Sequence, residues 1–173
     1  MNKTLEDLKS RRSIRKYKPD PVAKEDLDTV LEIATYGPTA KGSQRVCIVA
    51  VTDKAVRDQL SAMNAAVMGA SSDPFYGAPA VCVIFGDGSW DHGQRDGSAV
   101  LTTMLNAAYA VGLGSCWINR AYEMFKTEEG LALMKAWGVP DGYEGVGCCI
   151  LGYPDGEHPV PIARKEDYII RVE

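Results

Sequence analysis

"VCIVAV", Val46 to Val51, is a short, continuous apolar run rich in β-branched residues. Runs of that length and composition read as strands buried on both faces of a sheet. Further along the chain, "AVCVIFG" (Ala80 to Gly86) reads as a second buried strand, reached through "SSDPFYGAP", whose Pro and Gly mark a loop. "GSCWI" (114–118) and "VGCCILG" (Val146 to Gly152) read as two more strands.

Helical patterns fill the intervals. "TLEDLKS" opens with a capping-box-like Thr4…Asp7 pair and reads as a short helix, which "PDPV" then separates from the next. Leu27, Val30, Leu31 and Ala34 fall at i, i+3, i+4 and i+7, so an amphipathic helix precedes "YGP" and the loop "PTAKGSQ". Asp53 is placed to cap a helix running to about Met68. "DGSAVLTTMLNAAYAV", Asp96 to Val111, reads as the longest helix and is apolar over most of its surface, which requires cover on more than one side. "YEMFKTEEGLALMKAW" reads as helical, with Gly138 as its stop. Helix and strand alternate without regular βαβ spacing, which favours an α+β fold over a doubly wound sheet.

At 173 residues the chain is expected to form one domain spanning 1–173, able to bury roughly two-thirds of its unfolded surface. Its apolar share of 46% and charged share of 24% are those of an ordinary globular protein, and no apolar run reaches bilayer length. The N-terminal "MNKTLEDLKS" has no apolar segment of the secretory kind, so the expected location is the cytoplasm and no membrane partner is called for. Five cysteines is an odd number, and most lie inside apolar runs, as small buried hydrophobes do. With no CxxC, no HxxxH and only His92 and His158, no metal site is expected.

The charge is unevenly spread. "KSRRSIRKYK", Lys9 to Lys18, holds six cations, leaving 13 Lys+Arg against 23 Asp+Glu, a net charge of −10, in the rest of the chain. A local cluster in an acidic chain fits an anion held at one place; it equally fits a solvated helix end whose dipole favours cations. Arg11, Ser13 and Arg15 alternate, so in an extended segment they point the same way and suit a phosphate, with Arg164 and Lys165 as a second cationic pair. A nucleic-acid-binding role is disfavoured by the pI of about 5.3 and the lack of a recognition motif.

Other signatures fail on their spacing. "GLGSCW" and "GVGCCI" put Trp117 and Ile150 where a dinucleotide fingerprint needs its third glycine. Neither G-x-x-x-x-G-K-[ST] nor G-x-S-x-G occurs. "GSCW" matches part of a cysteine-protease signature. Leu113 replaces its first cysteine, however, and the chain ends 57 residues after Cys116, short of the required histidine.

Five segments in order, "RRSIRKYKPDPV", "TYGPTAKGSQ", "DPFYGAPAVCVIFGD", "GLGSCWI" and "ILGYPDGEHPVPIARK", resemble the FMN-dependent nitroreductase family of flavin oxidoreductases. The resemblance covers essentially the whole chain. It implies an α+β fold with a mainly antiparallel or mixed central sheet flanked by helices, in an intertwined homodimer holding FMN at the interface. Arg11, Arg12, Ser13 and Arg15 match the family's R-x-S-x-[RK] segment, whose first basic residue and serine hold the flavin phosphate and whose last basic residue reaches the ring's N1/O2 edge. Arg164 and Lys165 match the basic pair that closes on the phosphate.

The loop Pro38, Thr39, Ala40, Gly42 and Gln44 matches the segment that the other subunit lays against the flavin, though Gly42 stands in place of an Asn and Arg45-Val46 in place of Pro-Trp. Asn64 matches a position that supplies an amide to the ring. Gly114, Ser115, Cys116 and Trp117 match the stretch lining the flavin's other face.

The implied activity is ping-pong transfer of reducing equivalents from NADH or NADPH to a flat, electron-poor acceptor such as a nitroaromatic or quinone. The cofactor carries that chemistry, so no catalytic side chain is called for. Phe75 and Tyr76 are open to two readings, apolar cover for the site or anchors of a core loop. The alternative of another class is a flavin-binding protein with a sensing or flavin-handling role and little NAD(P)H turnover.

Overall fold

The computed structural model describes residues 2–173. Its elements in chain order are α1 (Lys3–Ser10), α2 (Lys24–Ala34), β1 (Val46–Val51), α3 (Lys54–Met68), β2 (Ala80–Asp87), α4 (Gly93–Ala110), β3 (Gly114–Ile118), α5 (Ala121–Met124), α6 (Glu128–Trp137) and β4 (Tyr143–Gly152). Short 3₁₀ turns occupy Ala40–Gly42 and Glu166–Tyr168.

The four strands form one sheet in the order β1-β2-β4-β3, with every neighbouring pair antiparallel. The α+β expectation holds, and the uniformly apolar strands are explained by helices on both faces. Val81, Val83 and Phe85 of β2 pack into one core with Leu60, Met63, Phe75 and Phe125, whereas Ala80, Cys82 and Ile84 pack into another with Val30, Leu101 and Met104. Alternate residues of a strand face opposite sides, so a continuous apolar run feeds two cores at once.

β1 departs from its expectation. It is the edge strand: Val46 to Val49 are only half-buried and Ala50 is exposed, so two-faced burial belongs to β2 and β4 instead. The helix expected over Tyr122–Trp137 is interrupted. The Thr127 hydroxyl accepts from Gly130 N at 3.1 Å and donates to Met124 O at 2.7 Å, ending α5 and capping α6. At the N-terminus the cap is Asn2, whose side chain accepts from Leu5 N, and Thr4 lies inside α1.

α4 has the two-sided cover its composition requires, the sheet on one side and α2 on the other. Asp53 caps α3 through Val56 N, and Gly138 ends α6 in the left-handed conformation. No helix among the described residues is long and apolar enough to cross a membrane.

Candidate functional site

Beyond α1 the chain runs extended along the outer edge of β3. Ile14 N donates to Ser115 O at 3.0 Å, Lys18 N to Tyr153 O at 2.9 Å, and Asp155 N to Lys16 O at 3.0 Å. Ile14 and Tyr17 turn into the core, and Gly114 lets Ile14 approach: a Cβ there would sit 3.0 Å from the isoleucine side chain. Ser13 and Arg15 stay accessible, so the extended segment presents its polar side chains together.

The basic cluster divides by function. Arg12 donates from Nη1 to Lys9 O at 2.8 Å and to Arg11 O at 2.6 Å, so it satisfies carbonyls at the end of α1. Arg11 is different: its Nη1 is buried and has no hydrogen-bond partner, as is Arg12 Nε. A buried guanidinium nitrogen left unpaired carries its full desolvation cost, and a bound anion would remove it. Lys16 pairs with Asp155 at 2.8 Å in the exposed position expected of it.

Arg15 borders two clefts. One, of about 310 Å³, lies between Ser13–Lys16 and Pro154–Pro159. The other, of about 190 Å³, is walled by Tyr76, Cys116, Trp117, Asn119 and Arg120. The Arg15 guanidinium sits 5.9 Å from the centre of the Tyr76 ring. Of the "GSCW" residues, Cys116 and Trp117 reach this second cleft, whereas Gly114 and Ser115 are buried behind the Arg11–Arg15 segment.

Tyr76 is held by a network centred on Asp73, which accepts from Phe75 N at 2.8 Å, Gly77 N at 2.7 Å, Arg57 Nη2 at 2.5 Å, and the Ser61 hydroxyl at 2.5 Å. Burial alone raises the Asp73 carboxyl, but these hydrogen bonds outweigh it and hold the group below its usual range. The two aromatic residues of "DPFYG" therefore split. Phe75 is fully buried in the core, and Tyr76 stands in the left-handed conformation (φ 53°) at the cleft.

Asn64 is also fully buried, and its carboxamide is engaged within the chain. It donates to Asn119 O at 2.8 Å and to Met124 Sδ at 3.1 Å, and accepts from Arg120 Nε at 3.0 Å. Its amide hydrogens thus serve the β3–α5 connection. Arg120 had no sequence signature. The available signal is a cation just after an apolar strand, in "GSCWINR", followed by two uncharged residues before Glu123.

The Pro38–Gln44 loop borders a separate small cleft with Thr35, Val46, Ile48 and Val100. Ala40 N donates to the buried Asp96 carboxylate at 2.9 Å, and Thr39 Oγ1 accepts from Gln44 N at 3.0 Å. Lys41, Gly42 and Gln44 are all left-handed. Arg45 pairs with Asp87 at 3.1 Å and lies 4.9 Å from the Trp90 ring centre, giving the loop an anchor of its own. Pro38 is exposed. Within one chain this loop lines neither cleft of Arg15. Arg164 and Lys165 lie in the fully exposed run 156–173, where Arg164 donates to Ile162 O. The described residues contain no cluster of three metal-ligating side chains.

A four-stranded antiparallel sheet between helices, with an extended arginine-serine segment on its edge beside two clefts, defines an α+β class of protein. The chain belongs to the Nitroreductase family, whose model matches residues 8–74 and 61–153. It is 29% identical over 163 residues to a provisionally described NADH dehydrogenase/NAD(P)H nitroreductase of Archaeoglobus fulgidus, covering 91% of this chain and 88% of that one. Among solved structures it is similar to a nitroreductase with bound FMN from Bacteroides fragilis, with a TM-score of 0.92, 25% identity and 100% of both chains covered. It is also similar to an FMN-dependent nitroreductase of Clostridium difficile, with a TM-score of 0.83, 26% identity and 99% of each chain covered.

Proposed function

We propose that the chain is an FMN-dependent oxidoreductase that passes reducing equivalents from NADH or NADPH to a flat, electron-poor acceptor such as a nitroaromatic or a quinone. The observation that carries the reading is the buried, unpartnered Nη1 of Arg11 beside Ser13, in a member of the Nitroreductase family. When bound, FMN would supply the redox chemistry of a ping-pong exchange between the nicotinamide and the acceptor.

The chain's own residues bind and orient. Arg11 and Ser13 would hold the phosphate end, and Arg15, from the same extended segment, would supply a fixed cation at the pyrimidine end of the ring, favouring the negative charge of the reduced cofactor. Cys116 and the β3 main chain at Trp117 contribute surface along the ring.

The working unit is a homodimer. The run 156–173 leaves Val160, Ile162, Ile170 and Val172 each more than four-fifths exposed, and a second copy that packs against it removes that apolar surface from water. In the same dimer the Pro38–Gln44 loop and the Arg164-Lys165 pair reach the site of the other copy.

The test is spectroscopic. The purified protein is expected to be yellow, to bleach anaerobically on addition of NADH or NADPH, and to recover its colour with a nitroaromatic or quinone. A colourless protein that takes up no FMN refutes the reading. A yellow protein that resists bleaching by both nicotinamides favours a flavin-sensing or flavin-handling role.

A further inference from the structure

The Pro38–Gln44 loop lines neither cleft of its own chain's Arg15, yet its shape is held by two residues that the proposed cofactor contacts do not use. We propose that Asp96, acting with Trp90, is a positioning residue for the flavin site of the other copy. It sets the conformation in which the loop is laid against the cofactor there. The inference rests on the proposed reading of the chain as an FMN-binding homodimer.

Asp96 is only 5% exposed, and among the described residues no cation pairs with it. A buried carboxylate is costly unless it is hydrogen-bonded, and here each oxygen has its own donor. Oδ1 accepts from Ala40 N at 2.9 Å and Oδ2 from Trp90 Nε1 at 3.3 Å. Ala40 N is the first N–H of the 3₁₀ turn Ala40–Gly42, so it has no acceptor inside the turn, and the carboxylate supplies one. Asp96 stands in the first turn of α4, where the helix dipole favours a negative charge.

Trp90 extends that single contact into a grip on the loop. Its ring centre lies 4.9 Å from the Arg45 guanidinium and 5.6 Å from Lys41 Nζ, cations on either side of Gly42 in sequence. The bend carrying Trp90 is itself fixed: Trp90 N donates to Asp87 O at 3.2 Å, Gly93 N donates to Trp90 O at 2.9 Å, and Asp87 pairs with Arg45 at 3.1 Å. Loop and bend lie at the same end of the sheet because Val46 pairs with Gly86. The loop needs such support. Lys41 and Gln44 hold positive φ of 57° and 52° without being glycine, and backbone in that region persists only where its surroundings over-determine it. Pro38, Lys41, Gly42 and Gln44 are exposed, so the outward face of this fixed loop is open to a second copy.

Asp96→Asn keeps the shape but replaces one acceptor oxygen with an NH₂ donor, which leaves either Ala40 N or Trp90 Nε1 facing a donor. The Kd for FMN of this homodimer is expected to rise about 10-fold, with about 150-fold as the ceiling. That is the fall in the competent fraction of the loop when one hydrogen bond to a charged group is lost. Hydrogen exchange of the apoprotein separates this from general unfolding: the segment 38–45 should exchange faster in Asp96→Asn while β2 and β4 keep their wild-type protection. Equal exchange over 38–45, or faster exchange throughout the sheet, overturns the proposal.

A mixed dimer of Asp96→Asn with Arg11→Met, isolated with two affinity tags, tests action on the other copy. One site then joins the intact loop of the Arg11→Met copy to the intact Arg11 segment of the Asp96→Asn copy, and the other site carries both lesions. One FMN per dimer is expected to bind with wild-type affinity. If Asp96 served the site of its own copy, each site would carry one lesion, so a mixed dimer with no tight site overturns the proposal. Wild type that takes up no FMN, or that sediments as a monomer, refutes the underlying reading and the proposal together. Equal FMN affinity in wild type and Asp96→Asn refutes the positioning role alone.

Discussion

Replacing Arg11 with Met separates binding from folding, because it removes the guanidinium and keeps most of the apolar stem. In the free chain Arg11 Nη1 is buried with no partner, a state that costs roughly 1–3 kcal/mol. The contacts that Arg11 does make are main-chain ones. Its N–H donates to Asp7 O at 2.9 Å and its carbonyl accepts from Arg12 at 2.6 Å, and both survive the substitution. Apo Arg11→Met is therefore expected to be as stable as wild type, or more stable by up to about 2 kcal/mol once imperfect packing of the new side chain is deducted. FMN binding moves the other way. Losing one hydrogen bond between a guanidinium and a phosphate costs about 1.5–3 kcal/mol, which is about a 10- to 150-fold rise in Kd. Urea unfolding of the apoproteins, compared at equal m-values, reads the first quantity, and quenching of FMN fluorescence on titration reads the second. Unchanged FMN affinity would refute the placement of the phosphate. A drop in apo stability matching the drop in affinity would show instead that Arg11 is part of the scaffold.

Other perturbations test the scaffold around the site. In Gly130→Ala the new Cβ would lie 2.2 Å from Met124 O and 2.7 Å from Phe125 Cα. Main chain cannot step aside cheaply, so a loss of about 1–3 kcal/mol is expected to outweigh the helix-propensity gain of up to about 1 kcal/mol; a raised Tm would contradict this. The depressed Asp73 carboxyl contributes stability that is complete above its ordinary value of 3.8 and disappears as pH falls through its lower folded value. The Tm of wild type should accordingly fall more steeply below about pH 4 than that of Asp73→Asn, and parallel curves would show that the Asp73 network carries no such linkage. Burial pushes Cys82 and Cys148 up to about 12 and Cys149 well above its ordinary value, while Cys47 sits half-buried on the edge strand. A thiol reagent at neutral pH is expected to modify no more than Cys47 in the native protein and all five cysteines in denaturant, as counted by mass; rapid native labelling of Cys148 or Cys149 would contradict the packing of β4.

Much of the site was legible because it is local. Arg11, Ser13 and Arg15 lie within five residues, and an extended backbone puts alternate side chains on one side, so their spacing carries the anion-binding signal. Arg12 shows the limit of that reasoning. It belongs to the same motif, but its Nη1 turns back onto Lys9 and Arg11 carbonyls, and only the end point of α1 determines this. Asn64 and Arg120 are 56 residues apart and meet because α3 packs beside the β3–α5 connection. No local pattern encodes that pairing, so the sequence marks Asn64 without its partner and leaves Arg120 unmarked.

The sequence by itself determined the four strands, the principal helices and the burial of most cysteines, since periodicity, β-branched runs and caps act over a few residues. Tertiary structure decided the strand order and made β1 the edge. It also sent Phe75 to the core and Tyr76 to the cleft, and left Arg120 a guanidinium without an acid. Those outcomes depend on which surfaces meet across the sheet, and contacts between distant segments follow from the packing of the whole chain.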